Sequence, residues 1–215
     1  MLSPDCADGP LAFGTLFQRL TGNHPFPWQR DLYDRLCSGR VPQACVIPTG
    51  LGKTSVIALW FLARLQNPRL PRRLVYVVNR RTVVDQTTDE VTKLRARLPE
   101  IGLSVDDVAI STLRGQFADN REWSADPSRP AVICGTVDMI GSRLLFSGYG
   151  VGYKGRPLHA GFLGQDVLLV HDEAHLEEPF QKLAASIEKV QSEFSGERVA
   201  PRLCVMALTA TPREA

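Results

Sequence analysis

The sequence predicts an α/β fold with a mostly parallel central sheet flanked by helices, and three observations carry that prediction. Short apolar, often β-branched runs recur at Ala44–Ile47, Leu74–Val78, Val108–Ile110, Ala131–Cys134, Val167–Val170 and Leu203–Leu208. Runs without polar alternation are expected of strands buried on both faces, as parallel strands are. Two of them are followed by apolar residues at helical spacing, from Ser55 to Leu65 and from Val83 to Leu98, giving strand-loop-helix units. The first of the intervening loops, Ile47-Pro48-Thr49-Gly50-Leu51-Gly52-Lys53-Thr54-Ser55, has the make-up of a phosphate-binding loop.

The chemistry of that loop follows from its residue types. Gly50 and Gly52 let the backbone turn tightly enough for successive N–H groups to face one concavity, with no Cβ in the way of triphosphate oxygens. Lys53 reaches the outer phosphates and Thr54 offers a hydroxyl to magnesium. Where the usual pattern begins with glycine, this loop has Ile47, a difference of subclass, because Gly50, Gly52, Lys53 and Thr54 carry the phosphate chemistry. Thr49, Leu51 and Ser55 complete the candidate nucleotide-binding stretch.

Residues 1–25 read as a lead-in in which Leu16, Phe17 and Leu20 form a short helix against the body. Pro25-Phe26-Pro27-Trp28-Gln29-Arg30 then opens a helix with Leu32, Tyr33 and Leu36 on one face. Gln29, held among prolines and aromatics just upstream of the loop, can present its amide to an adenine edge. The strand Leu74–Val78 runs into Asn79-Arg80-Arg81-Thr82, and Ala131–Cys134 runs into Gly135-Thr136-Val137-Asp138. Ligands of open parallel sheets gather at the carboxyl ends of strands, so Arg80 and Thr136 are expected on the rim that holds the nucleotide loop. Gly141–Gly164, with four glycines around Tyr149, Tyr153 and Lys154, reads as a loop or a pair of short helical turns. Its interleaved aromatic and basic groups suit a nucleic-acid strand, and a surface excursion without function fits equally.

Val167–Val170 runs directly into His171-Asp172-Glu173-Ala174-His175, which puts two carboxylates at a strand end. Asp172 can hold, through water, the magnesium that Thr54 also positions. Glu173 can orient and deprotonate the water that attacks the terminal phosphate. The last apolar strand ends in Thr209-Ala210-Thr211-Pro212, whose hydroxyls can reach His175.

A net charge of +2 excludes a field spread over the whole surface as the means of gripping nucleic acid, so the grip has to be local. Arg69, Arg72 and Arg73 read chiefly as a solvated edge; Arg80 and Arg81 form a second basic pair. Five cysteines without ligand spacing point to a reducing cytoplasm, with no disulfide framework and no zinc site. No apolar run is long enough to span a bilayer, and the amino terminus lacks the pattern of a signal peptide. With no repeats and no linker, 26–215 reads as one domain.

In order, Gln29, Pro48–Thr54, Asp172-Glu173-Ala174-His175 and Thr209-Ala210-Thr211 resemble the motifs of superfamily 2 DEAD/DEAH-box helicases, over nearly the whole chain from Pro25 to Pro212. Leu74–Gln86, Gly135–Leu145 and His159-Ala160-Gly161 further resemble the helicase-nuclease of type I CRISPR systems, in the subtype whose helicase begins the chain. The resemblance implies a RecA-like first helicase lobe using ATP and Mg2+, with Gln29 on adenine and Lys53, Asp172, Glu173 and His175 in hydrolysis. It implies that His175, Thr209 and Thr211 couple hydrolysis to movement, and that Arg80, Thr136 and Asp138 contact or support single-stranded DNA. The partners it implies are the guide-RNA surveillance complex, a second helicase lobe with an arginine finger, and an HD nuclease, the last two expected outside this sequence. The family is expected to move 3′ to 5′. Another superfamily 2 motor, either a restriction-type translocase or an RNA helicase, and a nucleotide-gated nucleic-acid-binding module are the alternatives.

Overall fold

A computed structural model describes residues 12–114, 122–193 and 201–210. Among the described residues six strands form one all-parallel sheet: β1 (Ala44–Val46), β2 (Arg73–Val78), β3 (Ala109–Leu113), β4 (Ala131–Thr136), β5 (Val167–His171) and β6 (Leu203–Thr209). Their spatial order is β1-β6-β5-β2-β4-β3. All six apolar runs of the sequence are strands, and the predicted fold class holds.

Helices cover both faces, which is why the strands carry unbroken apolar runs. On one face α1 (Phe13–Thr21), α2 (Pro27–Cys37), α3 (Val56–Gln66) and α4 (Arg81–Ala96) pack on Leu74, Tyr76, Val78, Leu168, Val170, Met206 and Leu208. On the other, α5 (Glu122–Ala125), α6 (Val137–Leu144), α7 (Arg156–Gly164) and α8 (Glu178–Glu193) pack on Val75, Val77, Ile133, Leu169 and Val205. The alternation of Leu74, Tyr76 and Val78 with Val75 and Val77 is the two-residue period of a strand shared between two cores. Helix α3 is buried all round from Val56 to Ala63, and its Trp60 indole donates to the Pro71 carbonyl at 2.9 Å. Helix α1 stops at Gly22 (φ 78°), whose N–H bonds back to Gln18. Its Leu16, Phe17 and Leu20 belong to the same core as the sheet.

The structure decides one open reading, adds one helix and corrects one expectation. Most of Gly141–Gly164 is helical: α6 and α7 pack on each other, and the connection between them is residues 145–155. A Cβ at Gly141 would sit 3.4 Å from the Phe180 ring and one at Gly164 3.5 Å from Leu144, ordinary contact distances, so neither helical position requires glycine. Helix α8 was not singled out by patterning, because among its described residues only Phe180 and Ala184 are fully buried. Arg73 is buried, donating to the carbonyls of Phe162, Pro127 and Gln165, while Arg72 pairs with Asp166 at 3.5 Å. These arginines lock the amino ends of β2 and β5 together and lie across the sheet from the nucleotide loop, so Arg73 is no solvated edge. Among the described residues no helix is long and apolar enough to cross a membrane.

Candidate nucleotide site and nucleic-acid rim

The loop after β1 takes the shape its glycines permit. Gly50 (φ 85°) and Gly52 (φ 72°) are both left-handed, a conformation that a side chain makes costly. A Cβ at Gly50 would meet no atom within 4 Å, so this backbone borders open space. Lys53–Ser55 form a single 3-10 turn before α3 begins at Val56. The Trp28 indole steadies the loop by donating to the Leu51 carbonyl at 3.2 Å, a tie that sequence reading had not identified. Thr49, Gly50 and Gly52 are exposed, and Leu51, Thr54 and Ser55 are half-buried.

Gln29 is 3% exposed and both ends of its amide have partners. Its Oε1 accepts from the N-cap Phe26 N–H at 2.7 Å, and its Nε2 donates to Ser55 Oγ at 2.6 Å. The side chain thus ties the start of α2 to the start of the loop helix. Beside Ser55 a cleft of about 440 Å3 opens between Gly52, Thr54, Asn23 and Leu94.

The acidic pair reaches the same rim because β5 lies one strand from β6, and β6 pairs with β1. Lys53 Nζ donates to Glu173 Oε1 at 2.5 Å. Glu173 itself is left-handed (φ 51°, ψ 44°), a non-glycine strain of about 1–2 kcal/mol of the kind that collects at functional sites. His175 Nδ1 lies 3.5 Å from Glu173 Oε2 and 3.5 Å from Thr209 Oγ1. Thr211 lies outside the described residues.

Asp172 is held at both oxygens: Oδ1 accepts from the Glu173 N–H at 3.0 Å and Oδ2 from the Tyr76 hydroxyl at 2.9 Å. Burial pushes its carboxyl above the usual carboxylate range, while Tyr76 and Lys53 act in the opposite sense. Burial likewise pushes the Tyr76 phenol well above its ordinary value, so it is an O–H donor at neutral pH. Tyr76 was legible only as part of a buried strand; the available signal was a phenol in an otherwise aliphatic run, which needs a hydrogen-bond partner. A glycine cradle open to solvent, a lysine, and the hard oxygens of Thr54 and Asp172 together fit a triphosphate with Mg2+.

The candidate nucleic-acid residues occupy the next strand ends. Val78 pairs with Thr136 in register, so Arg80 and Asp138 project from neighbouring strand ends. Strand β2 is the immediate neighbour of β5, and β4 lies one strand further, roughly 10 Å from the acidic pair. Arg80 and Asp138 are exposed. Thr136 differs from expectation in being 6% exposed, its hydroxyl accepting from the Met139 N–H at 3.4 Å as the cap of α6. Between α6 and α7 the side chains of Phe146, Tyr149 and Tyr153 are exposed, the last at 86%. No carboxylate occurs between Met139 and Gln165.

Against known proteins, the DEAD/DEAH box helicase family model matches residues 26–215. No curated protein matches the chain. Among solved structures the chain is similar to the Hef helicase domain of Pyrococcus furiosus, at 23% identity and a TM-score of 0.59, covering 93% of this chain and 35% of that one. It is similar to the yeast DEAD-box splicing factor Prp28, at 19% identity and a TM-score of 0.62, over 99% of this chain and 47% of that one. A third is the Mycobacterium smegmatis helicase Lhr bound to single-stranded DNA and AMP-PNP, at 21% identity and a TM-score of 0.61, over 96% and 26% of the two chains. At these identities the likeness is one of fold, that of RecA-like helicase domains, and the chain spans less than half the length of each of these structures.

Proposed function

The chain belongs to the DEAD/DEAH box helicase family, and from that premise we propose that it is the ATP-binding and ATP-hydrolysing first lobe of a single-stranded DNA translocase. The observation that carries this reading is the meeting of Lys53, Asp172, Glu173 and His175 on one rim, next to the strand ends that bear Arg80 and Asp138. In this reading the loop amides, Lys53 and Gln29 would bind and orient ATP, and Thr54 and Asp172 would hold Mg2+, which would supply charge neutralisation on the phosphates. Glu173 orients the attacking water and takes its proton, while the His175–Thr209 contact passes the change to the neighbouring strand. A second lobe closing on the nucleotide would contribute an arginine finger, worth about 10³ to 10⁵ in rate.

The finer assignment is the helicase-nuclease of type I CRISPR interference, acting with a surveillance complex and an HD nuclease. It is supported by the likeness of Leu74–Gln86, Gly135–Leu145 and His159–Gly161 to that group. The deciding experiment measures phosphate release by the complete enzyme with single-stranded DNA, with single-stranded RNA and with neither, beside the 215-residue chain. DNA-selective stimulation with a near-silent lobe is the expected result. Selective stimulation by RNA would replace this reading with that of an RNA helicase, and nucleotide binding without turnover in the complete enzyme would replace it with a nucleotide-gated binding module.

A further inference from the structure

We propose that Tyr76 is a positioning residue for the magnesium site, holding the Asp172 carboxylate in the orientation that meets a metal-bound water. The inference rests on the nucleotide-and-magnesium reading of this rim and extends it to a residue one strand away.

The geometry is specific. Tyr76 pairs in register with Val170 on β5, and Asp172 stands two residues beyond Val170, its N–H bonded to the Val77 carbonyl at 2.9 Å. Two residues of parallel strand rise roughly 7 Å, about the reach of a tyrosine side chain from its Cα. The phenol therefore climbs the sheet face covered by α1–α4 and delivers its hydroxyl to Asp172 Oδ2 at 2.9 Å. A phenylalanine would fill the same space and deliver nothing. The Glu173 N–H holds the other carboxylate oxygen at 3.0 Å, so the two bonds together fix the plane of the carboxylate. The hydroxyl reaches this candidate metal ligand from a core position that is 1% exposed. Partners that orient metal ligands typically influence metal affinity by 10–100-fold.

The test compares wild type with Tyr76→Phe by fluorescence of a mant-labelled ATP analogue, first in EDTA and then across a Mg2+ titration, with melting curves to establish folding. Metal-free nucleotide binding is expected to stay within about twofold, and the Mg2+ concentration for half-maximal effect to rise on the order of tenfold. A purely structural phenol would lower the melting temperature and leave the Mg2+ dependence unmoved, and that outcome overturns the proposal. A wild type that binds nucleotide without regard to Mg2+ overturns the underlying site reading as well, so the two failures are distinguishable. Should Tyr76→Phe not fold, 3-fluorotyrosine at position 76 keeps the phenol and its shape. Its 19F resonance is expected to move on addition of Mg2+ to the nucleotide-bound chain, and a resonance that stays put overturns the proposal.

Discussion

Lys53 and Glu173, 120 residues apart in sequence, form a 2.5 Å ion pair. The lysine side chain is 9% exposed, so its ammonium needs a compensating charge, and the left-handed backbone of Glu173 brings the carboxylate to it. The phosphate-gripping and water-activating candidates are thereby electrostatically joined, and changing either alters the surroundings of the other.

Separate variants should still divide their roles. Lys53→Ala is expected to weaken binding of a mant-labelled ATP analogue at least tenfold. Glu173→Gln keeps an acceptor near Lys53 and loses only the base, so binding should remain within a few-fold while phosphate release by the complete enzyme falls about 10²- to 10⁴-fold. Equal loss of binding in both variants would contradict the division.

Gly50 allows stability and binding to be read apart. Gly50→Ala places a Cβ where no protein atom lies within 4 Å, so its cost to folding is the left-handed φ alone. That is about 1–2 kcal/mol, or roughly 2–8 °C in melting temperature for a chain of this size. The same Cβ enters the concavity assigned to the phosphates, and nucleotide binding should fall well beyond the stability effect when both are measured below the melting transition.

Gln29 is predicted to serve folding and base choice together. Gln29→Ala orphans the Phe26 N–H and removes the bond to Ser55, at a cost of about 1–3 kcal/mol read from denaturant unfolding. If the amide also meets adenine, competition assays should show the preference for ATP over GTP diminish. Destabilisation with an unchanged preference would confine Gln29 to the capping role.

Burial pushes the Cys45 thiol to about 11 and the Cys134 thiol to about 12. Both values lie above the thiol's value of 9.0 before burial, so the folded chain holds these protons more tightly than the unfolded one. The associated stability is complete below pH 9 and is lost as pH rises through about 11 and 12. Melting temperature should therefore fall across that range, and less steeply in Cys134→Ala. At pH 8, alkylation of Cys134 should require unfolding, which mass spectrometry of native and denatured samples would read.

Arg80 is exposed at the end of β2 beside the register partner of Thr136. If it meets a phosphate, Arg80→Ala should weaken single-stranded DNA binding regardless of sequence and reduce the slope of log K against log salt by about 0.7. An unchanged slope would remove Arg80 from the interface. Thr136 already caps α6, so Thr136→Ala should lower stability by about 1 kcal/mol whatever its role with DNA.

The parts legible in sequence were those set by neighbours along the chain. Two glycines in Gly50-Leu51-Gly52 announce left-handed backbone, unbroken apolar runs announce strands with helices on both faces, and Asp172-Glu173 following such a run must stand at a strand end. Misreadings arose where composition pointed one way and packing the other. Gly141–Gly164 read as a loop or a pair of short helical turns and is mostly two packed helices; Arg73 looked solvated and is buried, donating to three carbonyls. The role of Thr136 as a cap depends on where α6 begins, which its sequence does not mark.

Sequence by itself determined the strand-loop-helix grammar and the order of the candidate groups, because φ preference and hydrophobic period are local properties. Only the tertiary structure decided that β2 lies beside β5. A phenol from the middle of one strand then lies within 2.9 Å of a carboxylate at the end of the other, and a strand order of that kind is fixed by two packed helical layers acting on the whole sheet at once.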